Sequence, residues 1–599
     1  MNSETKICQN CKQNFTIEPE DFKFYEKISV PPPTWCPECR MVRRMAWRNE
    51  RSLYRRKCDA PGHSEDIVAI YPQNEVYKVF DREFWWSDKW NAMDYSKGYN
   101  FTKPFFQQFK ELLDSVPRVN VFNTNAINSE YGNHNEESKD CYLLFASIWN
   151  EKVSYSRGAV HSKDSFDVLE SEKCELCYNI SYGIGCFNVA SSEHATGSNH
   201  STFLYNCRNC SDCFGCINLR NRKNCFFNEQ LSKDEYNKKI KELDLGSYKT
   251  YSEISEKFEK LKLGYVRQFG HFINAVNVIG DNVGNTKNCY YCFDVYEGAE
   301  DCRYVAHGGW NLKDTFDGYG LGLGDLMYEV IDTGIATSRV KFVVVSRSGH
   351  DVIYGFNCHS SSNLFACIGL RNKSYCILNK QYTKEEYESL VPKIIKHMND
   401  MPYIDKKGRV YKYGEFFPPE LSPFSYNETI AQEYFPLTKE EAIKQGYSWK
   451  DPEPRNYQIT LKTEDISDHI KDIKDSVLDE IIQCAHHELG NSVSKCNEQC
   501  TEAFRIIPTE LAFLRKQNLP IPRLCPNCRH YQRIKQRNPL KLWHRQCQCN
   551  GAKSSNSIYT NTAKHDHSDS SCSNEFETSY APDRPEIVYC ERCYLREVV

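Results

Sequence analysis

Short apolar clusters, each with an aromatic residue, recur along two long stretches of the chain and are separated by Asn, Asp, Ser, Gly and Lys. In residues 288–387 the clusters follow at steps of about 11–14 residues, and in residues 140–236 the steps are less even. Such segments, bounded by turn formers, are typical of β-strands. The pattern predicts an all-β array in which two steps, about 24 residues, make one coil of a right-handed β-solenoid. A stack of hairpins is the alternative.

The two stretches are copies of one another. Residues 211–236 and 362–387 align at an offset of 151 residues, with identities such as Cys216/Cys367. We therefore predict a mainly β fold with α segments, built on a duplicated right-handed β-solenoid-like repeat. Cys213 matches Leu364 in the other copy, which indicates that most cysteines of the array are buried packing groups.

The cysteine content changes this picture. The chain has 599 residues, 30 cysteines and a net charge of −4. No apolar run reaches membrane-spanning length, and the first residues lack a signal-peptide pattern. Many cysteines without an export signal indicate a reducing compartment, so we expect a cytoplasmic protein with no membrane partner, in which thiols bind metal or pack. The length implies several domains.

Two groups of cysteines have the spacing of tetrahedral zinc sites. In both, 24 residues separate the inner cysteines, Phe15 or Phe504 stands four residues after the second cysteine, and the last pair reads Cys-Pro-x-Cys-Arg. Four thiolates in this arrangement predict one structural Zn²⁺ per group. The predicted ligands are Cys8, Cys11, Cys36 and Cys39 in the first group, and Cys496, Cys500, Cys525 and Cys528 in the second.

A third group near residue 599 is less complete. Cys572, Cys590 and Cys593 are three clear ligands. Candidates for the fourth are His565, His567, Cys547 and Cys549, of which we prefer His567. Two or three Zn²⁺ ions are therefore expected. The N-terminal counterpart of this group lacks the matching pair, so Cys58 is expected to be an ordinary thiol.

The first two groups resemble a treble-clef "probable zinc-ribbon" family over about 40 residues each, through the cysteine pairs, the following Phe and the Cys-Pro-x-Cys-Arg ending. The resemblance implies a knuckle, a hairpin and a helix that starts near the last pair, so that treble-clef ribbons flank the repeat. Stretches such as WWSDKW and NEFETSYAPDRPEIVYCERCY make nearly the whole chain similar to large multi-zinc-ribbon proteins of candidate-phylum bacteria. Neither resemblance implies one activity.

A basic, helix-forming segment follows each of the first two groups, in residues 40–57 and 529–545. Basic residues with interleaved aromatics can neutralise phosphates and stack on bases, so contact with RNA or DNA is one prediction. The alternative is a solvated face, or one that pairs with acids elsewhere in the chain. The predicted nucleic-acid-binding residues are Arg40, Arg43, Arg44, Trp47, Arg48, Arg51, Arg529, Arg533 and Arg537.

The run Cys207, Cys210, Cys213 and Cys216 is similar to a ferredoxin-type iron–sulfur sequence. The second copy keeps only two of these four cysteines, which favours packed thiols over a cluster or a further zinc.

No nucleotide-binding or hydrolase motif is present. The leading functional hypothesis is therefore a zinc-binding, non-enzymatic protein that contacts nucleic acid or a ribonucleoprotein. The alternatives are a protein–protein scaffold with structural zinc, and an enzyme or iron–sulfur protein that uses the face of the array.

Residues 463–488 complete the prediction with an amphipathic helix, because Ile466, Ile470, Ile473, Val477 and Ile481 fall on one stripe. The predicted domain order is a zinc ribbon with basic helix (1–62), an aromatic capping segment (63–136), repeat 1 (137–230), a helical insert (231–285), repeat 2 (286–382), a helix, a Pro/Tyr-rich connector and the amphipathic helix (383–489), a second ribbon with basic helix (490–548) and a third ribbon (549–599).

Overall fold

The computed structural model of the protein describes residues 2–452, 457–488, 499–567 and 570–598. It is mainly β, with two large sheets of ten and nine strands. The first stack consists of Gly132–Glu136, Tyr142–Ile148, Glu151–Val160, Lys163–Glu172, Tyr178–Ser181, Phe187–Glu193, Asn199–Tyr205, Ser211–Ile217, Lys223–Phe226 and Glu229–Gln230. The second stack consists of Phe272–Tyr296, Arg303–Gly309, Leu312–Leu321, Gly324–Gly334, Thr337–Arg347, His350–His359, Ser362–Phe365, Ser374–Ile377 and Lys380–Gln381.

Successive strands of each stack pair in parallel, apart from a short antiparallel strand at the end. In the first stack, paired residues are 12 positions apart, as in Phe166 and Tyr178. In the second stack they are 12 or 13 apart, as in Phe316 with Tyr328 and Arg303 with Phe316. The chain therefore returns to the neighbouring strand after one step of the sequence pattern. The predicted coil of about 24 residues is wrong, and parallel pairing excludes the stack of hairpins.

Inward-facing residues of the first stack recur at every third position. The residue before an inward cysteine has a positive φ, which is 50° at Asn206, 52° at Asn209 and 50° at Asp212. Asn, Asp and Gly tolerate this left-handed conformation best, which explains why they alternate with cysteine here. Every member of the core has a number divisible by three: Cys141, Leu144, Val153, Ala159, Val168, Cys174, Cys177, Ile180, Cys186, Val189, Ala195, Leu204, Cys207, Cys210, Cys213, Cys216 and Cys225.

The run from Cys207 to Cys216 belongs to this core. The backbone N–H of Cys213 donates to Ser201 Oγ at 3.0 Å, and the Cys207 thiol donates to the Cys216 carbonyl at 3.4 Å. Among the described residues, several groups of possible metal ligands have all their ligand atoms within 4.8 Å of one another, but the four sulfurs of this run are not such a group. These thiols therefore pack in a ladder, as the comparison of the two copies indicated.

Helices and small sheets surround the stacks. The α-helices are Pro19–Lys27, Pro37–Met45, Arg82–Trp86, Phe105–Ser115, Lys233–Glu242, Tyr248–Lys262, Lys384–Asp400, Ile430–Tyr434, Lys439–Gln445, Ala485–Glu488, Pro508–Lys516, Pro526–Gln536 and Glu591–Val598. Two-stranded sheets pair Glu4–Ile7 with Asn14–Ile17, Tyr54–Lys57 with Asp66–Ala69, Val79–Phe80 with Arg118–Val119, Val266–Gln268 with Ile587–Tyr589, Tyr403–Ile404 with Val410–Tyr411, Ile482–Gln483 with Ala503–Phe504 and Trp543–Gln546 with Glu575–Thr578. No helix among the described residues is long and apolar enough to cross a membrane.

The aromatic segment covers the end of the second stack. Trp85 is fully buried, and the backbone N–H of Lys97 donates to the Leu378 carbonyl at 3.0 Å. The Asn379 side chain donates to the Ala92 carbonyl, also at 3.0 Å. These bonds tie the aromatic segment to the turn between the last two strands of the stack, so that the open end of the sheet is covered.

Residues 463–479 do not form the predicted amphipathic helix. Ile466 and Ile470 are buried as the pattern indicated, but in a core shared with the helix Pro508–Lys516. Their backbone groups bond outside the segment: Ile470 N–H donates to the Gly246 carbonyl and Arg523 donates to the Ile466 carbonyl, both at 3.0 Å. These bonds replace helical ones. Short 3-10 turns result, at Thr463–Asp465, Ile470–Asp472 and Asp475–Asp479.

Candidate metal centres

The first cysteine module, residues 4–45, brings its four predicted ligands together. The sulfurs of Cys8, Cys11, Cys36 and Cys39 all lie within 4.8 Å of one another. The hairpin Glu4–Ile7/Asn14–Ile17 places the first pair near the last pair. Cys36 is the N-cap of the helix Pro37–Met45, and proline suits the first helical position because its φ is already helical. The positive end of this helix favours thiolate ligands.

The second module, residues 482–536, has an unpredicted ligand. Its converging sulfurs belong to Cys484, Cys500, Cys525 and Cys528. The predicted ligand Cys496 lies outside the described residues. Fifteen residues separate Cys484 from Cys500, so the pair lacks the short spacing by which a zinc knuckle is recognised in a sequence. The strand pair Ile482–Gln483 and Ala503–Phe504 positions these two cysteines instead.

The third module, residues 543–598, has a four-cysteine set that differs from the prediction. Cys547 joins Cys572, Cys590 and Cys593, and His567 is not a member. The pairing of Trp543–Gln546 with Glu575–Thr578 carries Cys547 to this position, although 24 residues separate it from Cys572. His567 lies instead in an adjoining set with Cys549, His565 and Cys593.

The three four-cysteine sets share one geometry. In each, the backbone N–H of the third cysteine donates to the first sulfur at 3.2 Å: Cys36 to Cys8, Cys525 to Cys484 and Cys590 to Cys547. Hydrogen bonding between thiols also lowers the pKa of at least one cysteine in each set. The bond with Cys547 lowers the pKa of Cys590 to about 4. The thiolate is the form of cysteine that binds a metal cation, so a low thiol pKa within each set is compatible with metal binding.

The N-terminal counterpart of the third module contains a mixed group of Cys58, His63, Glu65 and Asp81. The Cys58 thiol donates to Asp81 at 3.3 Å, and His63 Nδ1 lies 2.9 Å from Asp81 and 2.7 Å from Glu65. Burial raises the pKa of the Cys58 thiol. This group therefore satisfies its own polar atoms, and the thiol stays protonated.

The basic residues of the first module face the second stack. Arg40 donates to both carboxylate oxygens of Asp317, at 3.0 and 2.8 Å. Arg44 donates to Asp317 at 3.1 Å and to Glu329 at 2.7 Å. Burial alone would lower the pKa of Arg40, but Asp317 raises it well above its ordinary value, so the guanidinium remains charged.

The second module makes the corresponding contact with the first stack. Arg529 donates to Asp167 at 2.7 Å and to Glu510 at 2.9 Å. Arg533 Nη1 lies 2.8 Å from the other Asp167 oxygen. Asp167 and Asp317 occupy matching places, since each directly follows the phenylalanine of a Ser-Phe or Thr-Phe pair in its copy.

Aromatic contacts join the same pairs: the first module to the second stack, and the second module to the first stack. Phe24 of the first module stacks on Phe316, with 3.8 Å between ring centroids. Phe513 of the second module lies 4.8 Å from Phe166. Each of these two cysteine modules therefore packs on the stack that lies farther along the chain from it, and the two modules hold opposite stacks.

The predicted nucleic-acid interface is not supported. None of its nine side chains is more than 9% exposed, including that of Arg51 at 8%. Trp47 packs against Phe417, 4.8 Å between centroids. Arg43 donates to Glu329 and Glu415 at 2.7 and 2.8 Å, and Arg537 donates to Asp294 at 2.7 Å. The basic segments pair with acids elsewhere in the chain, which was the alternative.

A cavity of about 270 Å³ lies between the two stacks. Two ion pairs cross it: His134 Nδ1 lies 2.6 Å from Asp332, and His307 Nδ1 lies 3.1 Å from Glu170. Burial raises the pKa of Glu170, but His307 and Arg157 outweigh that effect and lower it to about 2. Further polar and charged residues line the cavity beside aliphatic side chains and two indoles, which include Val121, Ile148, Val160, Leu321, Trp86 and Trp310.

Comparison with known proteins gives no family: no protein-family model matches the chain, and no curated protein is significantly similar to it.

Proposed function

We propose that this protein is a scaffold in which structural Zn²⁺ ions fix two cysteine modules, and these modules lock two β-stacks to each other. The observation that carries the proposal is the crossed set of buried ion pairs, Arg40 with Asp317 and Arg529 with Asp167. The arginines that could have bound phosphate instead form ion pairs with carboxylates inside the protein. This favours the scaffold hypothesis over nucleic-acid binding.

The chemistry of the ligand sets supports zinc. Four converging thiolates are the usual environment of structural Zn²⁺, which is tetrahedrally coordinated in such sites. The described cysteines form no disulfides, so their sulfurs are free to bind metal. Such an ion can contribute on the order of 10 kcal/mol to the folding of a small module.

The stacks suit the rigid part of such a scaffold. Parallel pairing at 12 or 13 residues, inward residues at every third position and regularly spaced left-handed residues support short-coil β-solenoids. In a solenoid each coil contacts its neighbours, so the stack holds its two ends at a fixed separation. The locked pair of stacks would then present fixed surfaces to protein partners.

The test is hydrogen exchange on two matched variants. Cys39→Ser should release the first module and raise exchange in Leu312–Leu321, the strand that contains Asp317. Cys528→Ser should release the second module and raise exchange in Lys163–Glu172, the strand that contains Asp167. Each variant is the control for the other. Exchange that increases only within the altered module, with both strands unchanged, would overturn the proposal.

The cavity between the stacks favours a second candidate function, the binding of a small ligand. Its walls combine aliphatic side chains and the indoles of Trp86 and Trp310 with polar groups, among them those of His134, Asp332, His307 and Glu170. This combination suits a neutral sugar, whose apolar face packs on indole and whose hydroxyls bond to carboxylates. The ionised Glu170 is a better hydrogen-bond acceptor than a catalytic acid.

A panel of short oligosaccharides tests this candidate by saturation-transfer NMR. Binding to the native protein should be lost in Trp310→Ala and kept in Trp543→Ala, a change in the small sheet of the third module. No binding by any neutral oligosaccharide, or equal loss in both variants, would remove the candidate.

A further inference from the structure

The third module contains two adjoining ligand sets that share one residue. Cys593 lies within 4.8 Å of Cys547, Cys572 and Cys590, and it also lies within 4.8 Å of Cys549, His565 and His567. We propose that the third module binds two Zn²⁺ ions and that the Cys593 thiolate bridges them. One ion would have four cysteine ligands, and the other two cysteines and two histidines. The proposal extends the structural-zinc scaffold by one ion and one bridging ligand.

The two histidines are oriented for metal binding. His567 Nδ1 lies 2.6 Å from the Ser570 carbonyl, while its Nε2 lies 3.5 Å from Cys593 Sγ. His565 Nε2 lies 2.9 Å from Glu597, which leaves Nδ1 for the metal. A metal-bound histidine ordinarily uses its second ring nitrogen in this way, to a carboxylate or a carbonyl.

Glu597 is itself held in place. Thr562 donates to it from the backbone at 2.8 Å and from the hydroxyl at 2.9 Å, and Tyr559 donates at 3.0 Å. Glu597 and Cys593 are four residues apart on the helix Glu591–Val598, so both lie on one face. One turn of helix thus supplies the bridging sulfur and the carboxylate that orients a histidine ligand.

The cysteines of the second set are buried, as a metal site without water requires. Cys549 is fully buried and its sulfur accepts a hydrogen bond from Asn561 at 3.2 Å. The two sets together contain five cysteines. With one Zn²⁺ and the four thiolates of the first set, the charge is −2 and Cys549 remains a neutral thiol. A second Zn²⁺ that binds the Cys549 thiolate brings the charge to −1. Burial of uncompensated charge is costly, so the second ion is favoured.

The chain around this set shows which segment a second ion would stabilise. In the first module, two residues separate the first and second cysteine, whereas 24 residues separate Cys547 from Cys572. The described part of this insert, residues 548–567 and 570–571, contains no helix or strand. The insert is held by scattered hydrogen bonds, and a metal ion with three ligands in it, Cys549, His565 and His567, would further offset its ordering entropy.

Metal analysis of purified full-length protein with site variants tests the inference. We expect His567→Ala to lose one zinc equivalent per chain and Cys593→Ser to lose two. Cys39→Ser, the matching position of the first module, is the control and should lose one. If Cys593→Ser loses only one equivalent, or if His567→Ala loses none, the second ion is absent. A protein with no zinc at all would instead refute the structural-zinc proposal.

Substitution by ¹¹³Cd provides a readout that does not depend on variant folding. A bridging thiolate should give two cadmium resonances from the third module that are both coupled to the Cys593 β-protons and to each other. Resonances without a mutual coupling would show two separate ions, and a single resonance would show one. Either result would overturn the bridge.

Discussion

Arg40 reaches both carboxylate oxygens of Asp317, and both residues are at most 1% exposed. A buried, two-point contact of this kind fixes the orientation of a helix as well as its position. Arg529 and Asp167 form the equivalent pair in the other half of the chain. The basic character of these helices therefore serves the internal assembly of the protein.

Nucleic-acid binding gives the first prediction. The nine side chains that suggested it are buried, so titration of zinc-loaded protein with single- and double-stranded RNA and DNA should show no strong binding. Phosphate contacts make affinity fall steeply with salt. Affinity that is high at low salt and falls steeply as salt is raised would contradict this expectation.

The second prediction concerns the ligands of the second module. Cys484→Ser should remove one zinc equivalent, because its sulfur receives the Cys525 N–H and lies 3.9 Å from Cys528 Sγ. Cys496→Ser is the matched control and should keep the full complement. Mass spectrometry of the native protein measures both. Retention of zinc in Cys484→Ser and its loss in Cys496→Ser would restore the ligand set expected from spacing.

Glu433 gives a prediction about pH. It lies 3.1 Å from His530 and 3.7 Å from Arg51, and burial raises its pKa to about 7 from 4.5, although Arg51 opposes the shift. Because the pKa is higher in the folded state, this carboxyl stabilises the fold fully below about pH 4.5, and the stabilisation is lost as pH rises to about 7. Native stability relative to Glu433→Gln should fall by about 2–3 kcal/mol across this window.

Urea unfolding of both proteins from pH 4.5 to 8 measures this difference. Glu440→Gln, an exposed change on the next helix, is the control and should follow the native profile. Parallel profiles for the native protein and Glu433→Gln would show that the Glu433 carboxyl does not titrate in this window.

Gly215 tests the backbone pattern of the first stack. Its φ is +67°, and a Cβ there would lie 2.6 Å from the Phe227 ring. Gly215→Ala should therefore lower the free energy of unfolding by about 1–3 kcal/mol. Gly98→Ala is the control, because nothing lies within 4 Å of its added Cβ. Equal melting temperatures for the two variants would contradict the left-handed geometry.

The β character, the duplication and the buried thiols were predictable because they rest on local alternation of residues. The sequence also shows the three-residue period directly, because Asn, Asp or Gly precedes Cys at positions such as 206–207 and 212–213. The coil of 12 residues could therefore have been predicted. The coil length was misjudged because adjacent aromatic clusters pair directly with one another.

The metal sites were predictable where ligands are close in sequence, as in Cys36 and Cys39. Cys484 was not predicted, and Cys547 was one of four candidates among which His567 was preferred, because strand pairing across long inserts brings both cysteines to their partners. The burial of Arg40 and Arg529 was beyond local reasoning as well. A basic helix has the same sequence whether its partner is phosphate or a carboxylate several hundred residues away.

The coupling free energy between Arg40 and Asp317 tests the central claim most directly. It follows from urea unfolding of the native protein, Arg40→Gln, Asp317→Asn and the double variant, with the exposed Lys57→Gln as a control that should change little. The crossed ion pairs predict that each single change is costly and that the double variant is about 1–3 kcal/mol more stable than the sum of the two. Additive effects would show that the first module does not hold the second stack through this pair.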